Sequence, residues 1–204
     1  MKLWKAVLFV LLAIVVITME YGIALVRRGF SARGTPSAIE KVVATTARKL
    51  AVPSEYRQLR SPLSASPENV GAGMEHFADH CAICHANDGS GDSMFGKDMY
   101  PKPPDMRTAQ TQNLSDGELY YTIENGVRLS GMPAFGEEHV AGGDADTWKL
   151  VLFLRHLPSL TADELQRMTQ LNPKTDEERQ EEEQEEEFLR GDNPQTLGNQ
   201  LHLR

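Results

Sequence analysis

The stretch Cys81-Ala82-Ile83-Cys84-His85 decides the fold of this chain, and it contains both cysteines found among the 204 residues. Two thiols three positions apart, followed directly by a histidine, have the spacing used to attach haem c. The two sulfurs form thioethers with the vinyl groups of the porphyrin in such a site, and Nε2 of the histidine binds the iron. The motif therefore predicts a covalently held cofactor that carries one electron.

Two other kinds of site share part of this pattern. A zinc ribbon needs a second cysteine pair, or two distant histidines at finger spacing, and the sequence contains no second pair. A dithiol redox centre usually follows a strand and opens a helix in a βαβ unit, and nothing resembling such a unit precedes Cys81. A methionine-containing segment further along the chain, residues 125–136, favours the haem interpretation over a dithiol oxidoreductase.

An iron held by one histidine takes a sixth ligand, a water molecule or an open site, and residues 125–136 (NGVRLSGMPAFG) offer a methionine for that position. Met132 lies between Gly131, which permits close approach to a flat macrocycle, and Pro133, which stiffens the chain. A thioether is a soft ligand that favours ferrous iron and raises the reduction potential. Met132 is therefore the predicted distal ligand. The alternatives are Met94, Met99 and Met106.

These motifs together resemble the class I c-type cytochromes, which are small single-haem electron carriers of respiratory chains. The resemblance covers residues 67–160. Residues 73–77 look like the first helix of that family, in which a glycine and an aromatic residue four positions later pack against the last helix. Residues 131–135 resemble its axial-methionine signature, and residues 148–154 resemble its last helix.

The resemblance also implies the surroundings of the haem ligand His85. Residues 103–106 are similar to the segment of the family in which a proline carbonyl accepts the Nδ1–H of the proximal histidine, and Pro104 is the expected acceptor. Such a bond fixes the ring plane and the tautomer of a metal-bound histidine. Residues 114–119 look like the helix that precedes the methionine loop.

Helical patterns support this picture independently of the resemblance. Ser115 and Glu118 have the spacing of a capping box, and apolar residues follow at helical intervals up to Ile123. Residues 146–157 carry a broad apolar set typical of a helix packed on several sides. No strand-like alternation of useful length is present. The sequence predicts an all-α fold, a small cytochrome c fold of three to five short helices around a covalent haem.

The N-terminus carries an apolar segment long enough to cross a membrane. Residues 3–26 are almost continuously apolar, and Glu20 falls near one end, where an acid costs less than at the centre. The flanking basic residues slightly favour a cytoplasmic C-terminal side, but haem c is attached on the outer face of bacterial membranes. We therefore expect a single-pass inner-membrane anchor with the haem domain in the periplasm. A cleaved signal peptide is the alternative, since residues 22–24 form a plausible cleavage site.

The overall acidity belongs to one segment near the C-terminus. Residues 176–187 contain nine acidic residues and one arginine, a net charge of −8, which equals the formal net charge of −8 for the whole chain. A solvated acidic tail, disordered or helical, is the simplest interpretation, and docking on a basic partner is the alternative. Such a tail offers no chemistry for binding nucleic acid.

Four parts are expected along the chain: an anchor at 1–28, a linker at 29–66 that tethers the haem domain, a cytochrome domain at 67–160, and a polar acidic tail at 161–204. The linker contains one weak helical stretch at 37–50, and a helix packed on the domain is the other possibility for it. Residues 87–92 form a turn-rich loop whose pattern is too short for a calcium site, and its acids have no expected ligand role.

Four histidines outside the motif are weaker candidates for metal binding. His76 and His80 are four residues apart, which places both on one helix face, and we expect them to face solvent. His139 and His156 are possible alternative axial ligands.

The predicted function is one-electron transfer through haem c between redox proteins of a respiratory or dehydrogenase chain, with no substrate bond made or broken. The chain alternatively forms the cytochrome subunit of a larger membrane oxidoreductase. A haem sensor or a peroxidase-like protein is a third possibility, and it requires that Met132 does not bind the iron. The expected partners are a membrane electron donor and an acceptor.

Overall fold

The computed structural model describes residues 2–27, 29, 31–136 and 141–190, and the regular structure of these residues is helical throughout. This agrees with the all-α prediction. The α-helices are α1 (Lys2–Arg27), α2 (Ala38–Ala51), α3 (Ser54–Arg57), α4 (Pro67–His76), α5 (Ala82–His85), α6 (Ala109–Gln112), α7 (Asp116–Asn125), α8 (Ala145–His156), α9 (Ala162–Leu171) and α10 (Asp176–Arg190).

The core is built where α4 crosses α8. Gly73 allows the close approach, because a Cβ atom on it would collide with the backbone carbonyl of Lys149 in α8. One turn later the ring of Phe77 packs on that of Phe153, with 5.1 Å between their centroids. The predicted packing of a glycine and an aromatic residue against the last helix is confirmed.

A single turn of π-helix, Phe77–Cys81, joins α4 to α5. At its end the Ala82 N–H donates to the Phe77 carbonyl, five residues earlier. Such a turn holds one more residue than an α-helical turn, and it is frequent at functional sites. The attachment motif thus continues the helix that packs on α8, with its register shifted by the π turn.

Capping boxes fix where several helices begin. Ser115 accepts from the Glu118 N–H (3.2 Å), and the Glu118 carboxylate accepts from the Ser115 N–H (2.7 Å), so α7 begins where the sequence predicted. Ser37 and Glu40 form the same reciprocal pair before α2. Each box satisfies two backbone donors that a helix end would otherwise leave unpaired.

The packed core extends beyond the predicted boundaries of the haem domain at both ends. Before it, Tyr56, Leu59 and Leu63 pack against the core, and the Tyr56 carbonyl lies against Gly117 of α7. After it, Met168 of α9 is fully buried in the same cluster. Residues 29–66 therefore include a packed part as well as a connecting part, and residues 161–204 begin with a packed helix rather than with a tail.

The helices at the two ends of the described chain are exposed. Helix α1 is long and apolar enough to cross a membrane, and none of its apolar window is buried by other described residues. Helix α10 carries the acidic run, and the described side chains of this helix are exposed. The acidic segment is thus helical from Asp176 to Arg190.

Candidate functional site

The two cysteines lie at the end of the helix that crosses α8. Cys81 closes the π turn and packs against the core, and Cys84 lies one turn later in α5. Both are unpaired thiols and both are half-buried. Residues three apart on a helix share a face. The two sulfurs therefore face the same side, as attachment to one planar group requires.

The loop after the motif closes over the end of α5. The Ser93 hydroxyl lies 2.7 Å from the Ile83 carbonyl and 3.1 Å from the Cys84 carbonyl, and the Gly91 N–H donates to the His85 carbonyl at 2.8 Å. These contacts satisfy carbonyls that the end of a short helix leaves without partners. The backbone of the motif is consequently held by residues up to ten positions further along the chain.

The imidazole of His85 is half-buried beside Phe77, with 6.4 Å between the ring centroids. Its Nδ1 atom is buried and has no hydrogen-bond partner in the described part of the chain. Burial lowers the pKa of His85, which favours the neutral imidazole. A metal-binding histidine is neutral. A buried polar atom without a partner is rare in proteins. Nδ1 is the ring atom through which a metal-binding histidine donates to a carbonyl or carboxylate, which leaves Nε2 for the metal.

The segment that contains Pro104 is fastened to the loop after the motif. The Met106 N–H donates to the Gly89 carbonyl at 2.8 Å, and Gly91 lies directly against the Pro103 carbonyl. The expected hydrogen bond from His85 Nδ1 to the Pro104 carbonyl is not formed in this structure. The role of Pro104 as acceptor therefore stays a prediction.

An ion-pair bridge between these two segments was missed by the sequence interpretation. The Arg107 guanidinium lies 2.7 Å from the Asp88 carboxylate and 2.9 Å from that of Asp105. Asp88 belongs to the loop whose acids had no expected ligand role, and the structure gives it this structural contact instead. In the sequence, the bridge is indicated only by the position of Arg107, two residues after Asp105 and nineteen after Asp88.

The predicted methionine ligand sits in a tightly tied loop. The Met132 carbonyl accepts from the Val127 N–H (3.1 Å), and the Met132 N–H donates to the Ser130 hydroxyl (3.1 Å). Beyond it, the Phe135 N–H donates to the Ile123 carbonyl of α7 at 3.1 Å. The Met132 side chain is half-buried and packs against the same core cluster as Cys81. The loop therefore holds this thioether beside the core.

The other candidate methionines have different environments. Met94 is 72% exposed. Met106 is buried in the core cluster. Met99 is half-buried, and its methyl group lies against Gly131, next to Met132. Of the three alternatives, Met99 lies nearest to the methionine loop.

The remaining histidines differ in their partners. The rings of His76 and His80 lie 4.9 Å apart on one face, as predicted; His80 is exposed and His76 is half-buried. Among the described residues, no group of three potential metal-binding side chains is found. The Nε2 atom of His156 lies 2.8 Å from the Glu164 carboxylate, which joins α8 to α9. His139 lies outside the described residues.

Burial also bears on the dithiol interpretation. Desolvation, followed by the neighbouring Cys84, raises the pKa of Cys81 to about 12. Thiol–disulfide exchange requires a thiolate, and reactive cysteines have lowered pKa values. The environment of Cys81 therefore disfavours dithiol redox chemistry.

The helical arrangement and this site define a haem-binding electron-transfer domain. A family model described as cytochrome c oxidase, cbb3-type, subunit III matches residues 68–154, which is less than half of the chain. A comparison with curated proteins gave no match. The matched residues form a class I c-type cytochrome domain, and its cofactor is covalently bound haem c with its iron. Redox proteins are accordingly its partners.

Proposed function

We propose that this chain is a membrane-anchored monohaem cytochrome c in which Cys81 and Cys84 attach the haem, His85 is the proximal ligand and Met132 is the distal ligand. The observation that supports it most directly is the pairing of two elements at one core: the attachment motif on the helix that crosses α8, and the methionine loop tied to α7. Haem c supplies an iron that gains or loses one electron.

The residues of the chain serve chiefly to keep this site rigid. The contacts that end α5 hold the backbone around His85, and the Ser130 and Val127 bonds hold Met132 at both its backbone groups. Burial of His85 favours the neutral form that binds iron. Ligands fixed in this way move little between the two redox states of the iron, which keeps electron transfer fast.

The anchor sets the place of action. Helix α1 would cross the bacterial inner membrane once, with the haem domain in the periplasm, because haem c is attached on that side. The donor and the acceptor would then be membrane complexes whose docking is weak enough for rapid turnover. The four-part division of the chain is retained, with the packed residues around Tyr56 and Met168 assigned to the domain core.

A second candidate function is that of a cytochrome subunit within a larger membrane oxidase. The match to a family described as subunit III of a cbb3-type oxidase favours it. Stable co-purification with other membrane subunits in mild detergent would support this candidate, whereas recovery of the chain alone at full haem content would support the free carrier.

The first experiment is a visible spectrum of the detergent-extracted protein in both redox states, beside a haem stain of the denatured protein. A stained band, sharp reduced bands and the weak red sulfur-to-iron charge-transfer band of the oxidised form are expected. The double variant Cys81→Ala/Cys84→Ala should lose the stain. A stained protein that lacks the charge-transfer band and binds carbon monoxide readily would contradict Met132 as ligand and favour the sensor or peroxidase-like interpretation.

A further inference from the structure

Helix α2 turns its apolar side away from its own domain. Ile39, Val43 and Leu50 recur at helical spacing, and Val42 lies beside them. These four side chains are between 60% and 75% exposed. No residue of α2 is buried. The apolar face therefore has no partner among the described residues.

The polar face of α2 is the one directed toward the domain. Its two half-buried residues are Thr45 and Arg48. Arg48 lies opposite Ile39, and Thr45 borders the apolar face, three residues after Val42. Glu40 accepts a hydrogen bond from the Tyr100 hydroxyl at 3.0 Å. A helix that simply packed on its own domain would show the reverse orientation.

The helix is also fixed to the domain at its C-terminal end. Val52, directly after it, is buried, and the Arg57 guanidinium donates to the Lys49 carbonyl. Tyr56 follows, with its ring 4.9 Å from that of Tyr121 in α7. The direction in which the apolar face points is thus coupled to the orientation of the haem domain.

The position and charge of α2 match a bilayer surface. Ten residues separate Arg27, at the end of α1, from Ala38. Ten residues span at most about 36 Å when fully extended, so the start of α2 can reach the surface of the membrane that α1 crosses. Apart from the half-buried Arg48, the helix carries two exposed basic residues, Lys41 and Lys49, and one acid, Glu40, which accepts from Tyr100. Basic amphipathic helices bind surfaces that contain anionic lipid.

We infer that α2 is an interfacial helix: its apolar face, Ile39, Val42, Val43 and Leu50, lies in the headgroup region of the membrane, and this contact fixes the orientation of the haem domain. The inference rests on the proposed anchoring by α1. In this arrangement the haem domain is held against the bilayer and does not move freely on its linker. The apolar side chains are expected to reach about 5–10 Å below the level of the headgroups.

The test uses the full-length, haem-loaded protein in vesicles of phosphatidylcholine and phosphatidylglycerol. Cys81 and Cys84 are bonded to haem in this form, so a new cysteine is the only free thiol among the 204 residues. Val43→Cys reports the apolar face, and Lys41→Cys, two residues earlier on the polar side, is the matched control. The measurement is the rate of modification by a charged, membrane-impermeant maleimide, divided by the rate in denaturant.

The inference predicts that Val43→Cys reacts several-fold more slowly than Lys41→Cys in vesicles. Equal normalised rates would overturn it. The comparison is repeated with at most one protein per vesicle. Protection that persists supports the lipid surface, and protection that disappears on dilution shows that a second copy covers the face and overturns the inference.

An alkaline carbonate wash separates the anchor from the interfacial helix. Protein that stays in the vesicles but shows no protection at Val43 keeps the anchor proposal and overturns the inference about α2. Protein that is washed off, yet was protected at Val43 before the wash, supports the interfacial helix and contradicts anchoring by α1.

Discussion

At the scale of single residues, the assignment most open to a direct test is that of the methionine that binds the haem iron. Met132 is half-buried beside the core, whereas Met94 is largely exposed and Met106 belongs to the core itself. The methyl group of Met99 lies against Gly131 of the same loop. The chain therefore offers two thioethers near one position, and substitution of each distinguishes them.

Met132→Ala should leave the haem attached while lowering the reduction potential and opening the iron to carbon monoxide, because the thioether that favours ferrous iron is lost. Redox titration and carbon monoxide difference spectra measure both effects. Met99→Ala and Met94→Ala are the matched controls, with potentials close to that of the wild type. If Met99→Ala gave the large shift and Met132→Ala did not, the assignment would move to Met99.

Ala86, directly after the proposed haem ligand His85, has an unusual backbone conformation. Its φ of 60° and ψ of 156° lie in a region of backbone conformation that residues other than glycine rarely adopt. The turn is needed because the chain leaves α5 here to form the loop that closes over it. The structure therefore stores strain beside the attachment motif.

Ala86→Gly should raise the free energy of unfolding by about 1 kcal/mol, because glycine removes the steric strain. The greater conformational freedom of glycine in the unfolded chain offsets part of this gain. Urea unfolding followed by circular dichroism measures it. The control is Ala72→Gly inside α4, which should lower stability by about 0.5–1 kcal/mol. A loss of stability in both variants would mean that Ala86 is unstrained.

At the scale of elements, the sequence predicted the helices that carry strong local signals. The capping box before α7 and the apolar set of α8 are local patterns, and both helices formed as expected. The packing of Gly73 and Phe77 on α8 followed from the resemblance to a family. The bridge from Arg107 to Asp88 and the packing of Tyr56 were missed, because contacts between distant residues leave no periodic signal in one sequence.

Gly73→Ala should lower the free energy of unfolding by about 2–3 kcal/mol, because the added methyl group forces apart two helix backbones at the α4–α8 crossing. Gly71→Ala, two residues earlier in the same helix, is the control. No atom lies within 4 Å of a Cβ built there. That variant should gain about 0.5–1 kcal/mol from helix propensity. Equal effects in thermal or urea unfolding would show that the crossing is not close.

The Arg107 bridge predicts a dependence of stability on pH. The hydrogen bond from Arg107 lowers the pKa of Asp105, and at Asp88 burial is outweighed by Ser90 and Arg107, so the pKa of this carboxyl is lowered too. Carboxylates with lowered folded-state pKa values stabilise the fold above their unfolded-state pKa of about 3.9, and this contribution is lost as pH falls through the folded-state value.

Arg107→Gln should therefore raise the pKa values of both carboxyls, reduce stability at neutral pH and move acid unfolding to higher pH. Acid titration followed by circular dichroism measures the midpoint. Arg60→Gln, at an exposed position next to Leu59, is the control and should leave the midpoint unchanged. An unchanged midpoint in Arg107→Gln would show that the bridge adds nothing to stability.

At the scale of the whole molecule, the domain is larger than the haem motifs suggested. Composition placed its end near residue 160, because polar residues dominate from there on. One residue beyond that boundary, Met168, is buried, and the hydrogen bond between His156 and Glu164 joins α9 to α8. Leu165, Met168 and Leu171 at helical spacing, after the capping box of Thr161 and Glu164, are a local signal for a helix here. A boundary drawn from composition does not use that signal, and the signal does not tell what the helix packs against.

Met168→Ala should lower the free energy of unfolding by about 2–5 kcal/mol, the usual cost of truncating a buried methionine. Leu189→Ala in α10 is the control, since Leu189 is 75% exposed and its loss should be nearly neutral. Urea unfolding of both variants decides the matter. If Met168→Ala left the free energy of unfolding unchanged, α9 would belong to the acidic tail and not to the packed domain.

The π turn between α4 and α5 has a consequence for the direction in which His85 points. It holds one residue more than an α-helical turn over the same path. Removing that residue would restore α-helical hydrogen bonding but rotate His85 by about 100° relative to α4. The direction of His85 relative to α4 therefore depends on this one residue.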